Sequence, residues 1–327
     1  MADTTYGDIS PRTAAFAQKQ FLIRALPYLC IEKFAQGRPI PMNNSKVTKF
    51  RRYEALDPTP NILSEGVTPA AKKLTATDVT ATLVQYGDRV VITDVVQDTH
   101  EDPAMSEAID ILGEQAGIMI ETVRYGVIKA GTSVQYANGS ARNAVNTVIT
   151  TALQRKVVRS LKRQSAKKIT TVIRSTPSYG TEAVAAAYVA LHHPDLEPDI
   201  RNMTGFVPTE KYGSMTPWEN ETGKVEDVRY VSSTVFTSFA DAGGAAGAMI
   251  STGTVNADVY PVLYLARDAI GIVPLKGMTA IVPMVVNPKP SDSDPLAQRG
   301  HVAWKSMQTA VILNDAFMIR LEVAATA

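Results

Sequence analysis

One cysteine and four histidines stand in a chain of 327 residues, and each scarcity closes a class of explanation. A lone Cys30 excludes an internal disulfide framework and suits folding in a reducing compartment. Because it sits in an apolar stripe, its thiol is expected to be buried and inert. No apolar run approaches the roughly 18 residues that span a bilayer, so a soluble chain with no membrane partner is expected. The first residues, MADTTYGDISPR, are polar and lack the apolar core of a signal peptide. Neither sign of charge is in excess, with 33 basic against 32 acidic residues, so composition argues for neither a nucleic-acid nor a membrane binder. G-x-S-x-G, Walker and Rossmann patterns are missing. DAGGAAGA at 241–248 lacks the lysine and the strand-to-helix setting of a phosphate loop. Nothing in these residues calls for a cofactor or for catalysis, and the chain is expected not to be an enzyme.

Ligand-type side chains gather in one place, LHHPDLEPDIRNM at 191–203. A metal-dependent hydrolase built on His192, His193 and Asp195 is the alternative this stretch raises. Two points weigh against it. Read as the end of a helix stopped by Pro194, adjacent histidines diverge by about 100°. Zinc motifs space their histidines three to five residues apart. The structural reading packs one histidine in the core and uses Asp195 and Asp199 to cap the following turn, with no metal.

What is present in quantity is pattern. Residues 13–36 carry a loose helical stripe of Phe16, Phe21, Ile23, Leu26, Leu29 and Phe34, interrupted by Pro27. KVTKFRRY at 46–53 alternates as a strand does, and so does 73–96, where Thr75, Thr77, Val79, Ala81 and Leu83 share a face. Between them, 54–72 reads as a long irregular tip carrying Pro58, Pro60, Gly66 and Pro69. A hairpin like this has little core of its own and needs something to lie on. Residues 103–130 predict one long helix, capped by Asp102 and Pro103, with Ile109, Leu112, Ala116, Met119, Val123 and Val127 inward and Gly131 as its stop. A second helix is predicted over 142–165 and a third, alanine-rich, over 181–193. From 204 onward strands and turns prevail, and 301–323 reads as two strands around Asn314 and Asp315. The class is α+β with a protruding N-terminal third.

The strongest lead for binding is the basic run at 155–168, with seven Lys or Arg and no acid. On a helix, Arg155, Arg159, Lys162 and Arg163 share one face while Leu153, Val157 and Leu161 share another. A solvated face is the plain reading. The functional one is contact with phosphate or with an acidic neighbouring subunit. No aromatics interleave, so base stacking is not expected.

Six stretches in order carry a resemblance: VTKFRRYEALDPTPNILSEGVTP, LVQYGDRVVITD, YVALHHPDLEPDIRNM, ETGKVEDVRYVSST, YLARDAIGIVPLKG and SDPLAQRGHVAWKSMQTAVILNDAFMIRLE. Together they make the chain similar to tailed-bacteriophage major capsid proteins, from about residue 10 to 323. The resemblance implies the capsid fold shared by tailed phages and herpesviruses. It implies an N-terminal arm at 1–45 and an extended hairpin loop at 46–96. A peripheral domain with a spine helix would follow at 97–170, an axial domain at 171–300, and returning peripheral strands at 301–327. The implied function is a self-assembling icosahedral head shell around double-stranded DNA, built of pentamers and hexamers in the host cytoplasm. Scaffold, portal and cement proteins are the further partners implied; because the arm begins near residue 1, either no cleaved scaffolding segment or a separate scaffold protein is expected. An arm and a hairpin without a core should borrow neighbours. Phe16, Phe21, Leu22, Phe50 and Leu63 are therefore expected to be buried mainly by other subunits.

Overall fold

The computed structural model describes residues 24–25, 28–63, 65–66, 68–99, 104–173, 181–213, 216–276, 281–288, 290 and 295–327. Two sheets organise the chain, and one long helix runs between them.

The larger sheet has eight strands. Its central path runs β6 (Val134–Tyr136), β16 (Met318–Val323), β12 (Tyr260–Leu265), β8 (Thr181–His192), β11 (Val228–Ser232), β10 (Glu221–Val225) and β9 (Phe206–Pro208), with β7 (Ile169–Ile173) paired to the first half of β8. β8 is the stretch that alanine content and spacing predict as a helix; it is instead the sheet's middle strand. Its burial explains the difference. Tyr188 and Ala190 enter one core, while Val189 and Leu191 enter the core on the other face. A strand covered on both faces reads as an unbroken apolar run, which periodicity does not separate from a buried helix segment.

The smaller sheet is built on β15 (Arg299–Ile312), fourteen residues long. β5 (Val84–Thr93) lines one of its edges, and β13 (Ile270–Lys276) and β14 (Val282–Val286) share the other. Two short pieces, β1 (Gln36–Gly37) and β2 (Ile40–Pro41), run parallel to β13. In β15 every second residue from Gly300 to Ala310 is buried, the period-two signature of a half-covered strand. The short helix α1 (Asp94–Thr99) leads from β5 to the spine helix α2 (Ala104–Lys129). With 26 residues, α2 is about 40 Å long at 1.5 Å per residue. Ile109, Leu112, Ala116 and Ile120 pack with Val302 and Trp304 of β15. Past Ala116 the inward stripe runs through Ile120, Glu121, Arg124, Tyr125 and Ile128, so the expected Met119, Val123 and Val127 sit at its half-buried edge. The expected cap, Asp102 and Pro103, lies outside the described residues.

The N-terminal segment crosses α2 at Gly117, where a Cβ would stand 2.7 Å from the carbonyl oxygen of Ala25; only glycine admits so close a crossing. Beyond it, Ile31–Phe34 forms a 3-10 turn rather than a continuing helix. Most of the helix expected over 13–36 lies outside the described residues. α3 (Thr151–Arg163) is shorter than the predicted 142–165, because the Thr150 hydroxyl accepts the Leu153 amide and starts the helix there. The short α4 (Glu197–Arg201) follows β8.

The remaining pair, β3 (Val47–Tyr53) and β4 (Ala76–Thr82), forms a two-stranded hairpin with Val47 opposite Thr82 and Tyr53 opposite Ala76. Residues 84–93 leave it and join the smaller sheet, so the hairpin proper ends near residue 82.

Candidate assembly interface

The HHPD stretch is closed by its own neighbours. His192, at the end of β8, is fully buried. Its Nδ1 is 2.8 Å from the His193 carbonyl oxygen and its Nε2 is 3.3 Å from the Thr222 hydroxyl. Burial pushes the imidazole down to about 4, so it stays neutral. His193 takes the capping role instead: its Nδ1 accepts the Asp195 amide at 3.2 Å. The two aspartates tie distant segments rather than capping the turn. Asp195 accepts the Tyr260 hydroxyl at 2.7 Å, and Asp199 accepts the amide and hydroxyl of Thr326. Every candidate ligand already has a protein partner, and among the described residues no cluster of His, Cys, Asp and Glu could hold a metal ion. Cys30 is buried as expected, and burial pushes its thiol up to about 11.

A buried polar anchor that pattern reading missed holds the N-terminal segment on the spine helix. Glu121 Oε1 accepts the amides of Cys30 at 3.0 Å and Ile31 at 2.8 Å. One turn on, Arg124 donates to Glu32 at 2.9 Å and to Gln308 of β15 at 2.6 Å. One arginine thus joins the entering segment, the spine and the small sheet. The only signal in the sequence is a charge at two positions of the inward stripe, and its partners lie about ninety residues upstream and 184 downstream.

The predicted cationic face forms on α3. Arg155 pairs with Glu226 at 2.5 Å, and Lys162 and Lys168 pair with Asp227 at 3.1 and 2.9 Å. Among the described residues, Arg159 and Arg163 have no acidic partner and are exposed. Val157 and Leu161 turn inward as expected, to pack with Tyr188 and Ala190.

Of the five predicted interface residues, Phe16, Phe21 and Leu22 lie outside the described residues. Phe50 corrects the expectation. It is only 7% exposed within a single subunit, packed with Ile40, Ala81, Leu83 and Val273 at the hairpin base. The hairpin has a small core where it springs from the body, and Phe50 belongs to it. Leu63 is different: it is 69% exposed and its neighbour Ile62 is 91% exposed, with Tyr53, Leu56 and Leu74 also in the open. This tip presents apolar side chains that stand open among the described residues.

The family model described as phage capsid protein matches residues 76–320, about three quarters of the chain. No curated protein sequence matches. Among solved structures, the capsid of Ralstonia phage GP4 is 13% identical with a TM-score of 0.68, covering 90% of this chain and 88% of that one. The cyanophage Pam1 capsid subunit is 13% identical with a TM-score of 0.61, over 100% and 95%. The SrpI encapsulin of Synechococcus elongatus PCC 7942 is 9% identical with a TM-score of 0.55, over 100% and 94%. At such identities these likenesses establish the fold, and the family model supplies the family. The chain therefore belongs to the phage capsid protein family.

Proposed function

We propose that this chain is the major coat subunit of a tailed-phage head, closing with many copies of itself into an icosahedral shell of pentamers and hexamers around double-stranded DNA. The observation that carries this reading is the hairpin tip. Ile62 and Leu63 stand 91% and 69% exposed on a two-stranded ribbon, and a ribbon of that size is marginal alone in water. Burying each against a neighbour is worth roughly 1.5–3 kcal/mol, and a closed shell repeats the contact at every subunit. We assign residues 1–45 to the arm and 46–82 to the hairpin loop, the smaller sheet (β5, β13, β14 and β15) with α2 to the peripheral domain, and the larger sheet with α3 to the axial domain; the expected boundaries at 97, 171 and 301 give way because each sheet draws strands from both sides of them. Phe16, Phe21 and Leu22 of the arm join Leu63 as residues that neighbours cover. Assembly in the host cytoplasm, with scaffold, portal and cement proteins as partners, completes the proposal, and the subunit's role is structural rather than catalytic.

The test replaces Ile62 and Leu63 with aspartate together and compares the product with the unaltered chain, expressed alone or with other head proteins. The unaltered chain should give closed shells by electron microscopy. The variant should give folded subunits with an unchanged melting curve and no shells. Normal shells from the variant, or an unaltered chain that stays a compact monomer, would overturn the proposal.

A further inference from the structure

Two runs of this chain carry opposite charge with nothing to offset it inside the run. Residues 155–168 hold seven Lys or Arg and no acid, and residues 94–114 hold seven Asp or Glu and no Lys or Arg. Among the described residues no ion pair joins them within one subunit. α3 packs its apolar side on the face of the large sheet that holds Tyr188 and Ala190, while Tyr125 and Ile128 of α2 pack on the face that holds Val189 and Leu191.

The described part of each run forms a surface. On α2, Glu107, Ile111, Glu114 and Ile118 follow one another at helical spacing and make a single outward stripe. Ile111, between Glu107 and Glu114, is 64% exposed, and Ile118, one turn past Glu114, is 40% exposed. Asp110 and Glu114 have a cation nearby in Arg24, whereas Glu107 has none among the described residues. On α3, a groove of about 440 Å³ lies between Arg155, Val158, Arg159, Lys162 and Arg163, with the acidic turn of Glu226 and Asp227 along its edge. Those two acids pair with Arg155, Lys162 and Lys168, so Arg159 and Arg163 are the cations lining the groove that have no acidic partner among the described residues.

We propose that, in the assembled shell, the α3 groove of one copy receives the outer stripe of α2 from a neighbouring copy, with Arg159 and Arg163 set against Glu107 and Glu114. This rests on the shell-forming reading above. A heterologous contact, in which one patch meets a different patch on the next copy, is the kind that repeats into a closed shell. The chemistry favours protein over nucleic acid as the occupant. A duplex would bring phosphates against Glu226 and Asp227 at the groove edge, and it would leave Ile111 and Ile118 uncovered. A helix bearing two acids and two isoleucines satisfies both requirements. Arginine stems lie along aliphatic surface while their guanidinium groups take carboxylates in pairs of parallel bonds.

The experiment reverses the charges in the full chain. Arg159→Glu with Arg163→Glu should lower shell yield by about tenfold, the equivalent of losing one good contact, while the subunit melting curve is unchanged. Adding Glu107→Arg and Glu114→Arg should restore most of the yield. If the reversed helix folds poorly, Arg159→Gln with Arg163→Gln keeps the helix and removes the charge; its shells should come apart at lower salt than unaltered ones. Unaltered yield and salt response in both variants would overturn the inference while leaving shell formation intact. So would normal shells that retain less DNA, which would assign the groove to nucleic acid. Failure of the unaltered chain to form shells would instead remove the reading on which the inference stands.

Discussion

Replacing Glu121 by glutamine should stabilise the subunit, and by an amount that depends on pH. The carboxyl is fully buried in the spine helix. Its Oε1 accepts two amides, while its Oε2 finds no hydrogen bond and lies 3.9 Å from the Arg124 guanidinium. Burial disfavours the charged form more than Arg124 and the amides favour it, and the group is pushed up from 4.5 to about 7. The sign follows. Below pH 4.5 the carboxyl is protonated in both folded and unfolded chains, and the site costs nothing. As pH rises toward 7 the folded chain keeps a proton that the unfolded chain releases, so stability falls, and above 7 the loss is complete. Glutamine mimics the protonated form at every pH and keeps the Oε1 acceptor. At about 1.4 kcal/mol per pH unit, the gain should be roughly 1 kcal/mol near pH 5.5 and roughly 3 kcal/mol near pH 8. Urea unfolding of unassembled subunits at the two pH values, followed by tryptophan fluorescence, measures both. A glutamine variant that is less stable at pH 8 would refute the reasoning and make the ionised carboxylate the form the anchor needs; a gain that does not change with pH would refute it too, because the carboxyl would then titrate alike in the folded and unfolded chains.

Two further outcomes follow from burial. Phe50→Ala should cost about 3–5 kcal/mol in the melting of the isolated subunit, because the ring fills the core at the hairpin base rather than an intersubunit pocket. A variant that melts normally and fails only in assembly would return Phe50 to the interface. At His192 the burial that pushes the ring from 6.5 to about 4 works in the opposite direction on pH: stability is full above 6.5 and is lost as pH falls toward 4. His192→Gln should flatten that acid limb, and an unchanged acid limb in urea titrations at pH 4.5 and 6.5 would exclude His192 as its source.

How much of this was legible in the sequence depended on where each residue's partners lie. β15 was readable because only one of its faces is covered, so burial and sequence share a period of two. The body of α2 was readable for the equivalent reason at helical spacing. β8 was not, since burial on both faces erases the alternation and leaves AVAAAYVAL to look like good helix. In HHPD the closed outcome was foreseen but the roles were not. His193, not an aspartate, caps the turn, because Tyr260 and Thr326 arrive from far along the chain to claim Asp195 and Asp199. Glu121 and Arg124 were invisible on the same ground.

The hairpin shows how a container can be encoded in a subunit that also folds alone. Phe50 and Leu63 look alike in sequence, apolar residues on one projecting ribbon, yet one is covered by Val273 of its own chain and the other stands 69% exposed. The covered base fixes the direction in which the ribbon leaves the body before any neighbour arrives. In the proposed shell the open tip is buried in the next copy, and it would arrive there already aimed. Preset direction matters because association must overcome lost rigid-body freedom, and a ribbon that also had to be ordered at the contact would surrender part of the roughly 1.5–3 kcal/mol each tip residue brings. Subunit stability and shell formation are thus separable on a single hairpin: damage at Phe50 should be felt before assembly, and damage at Leu63 only during it.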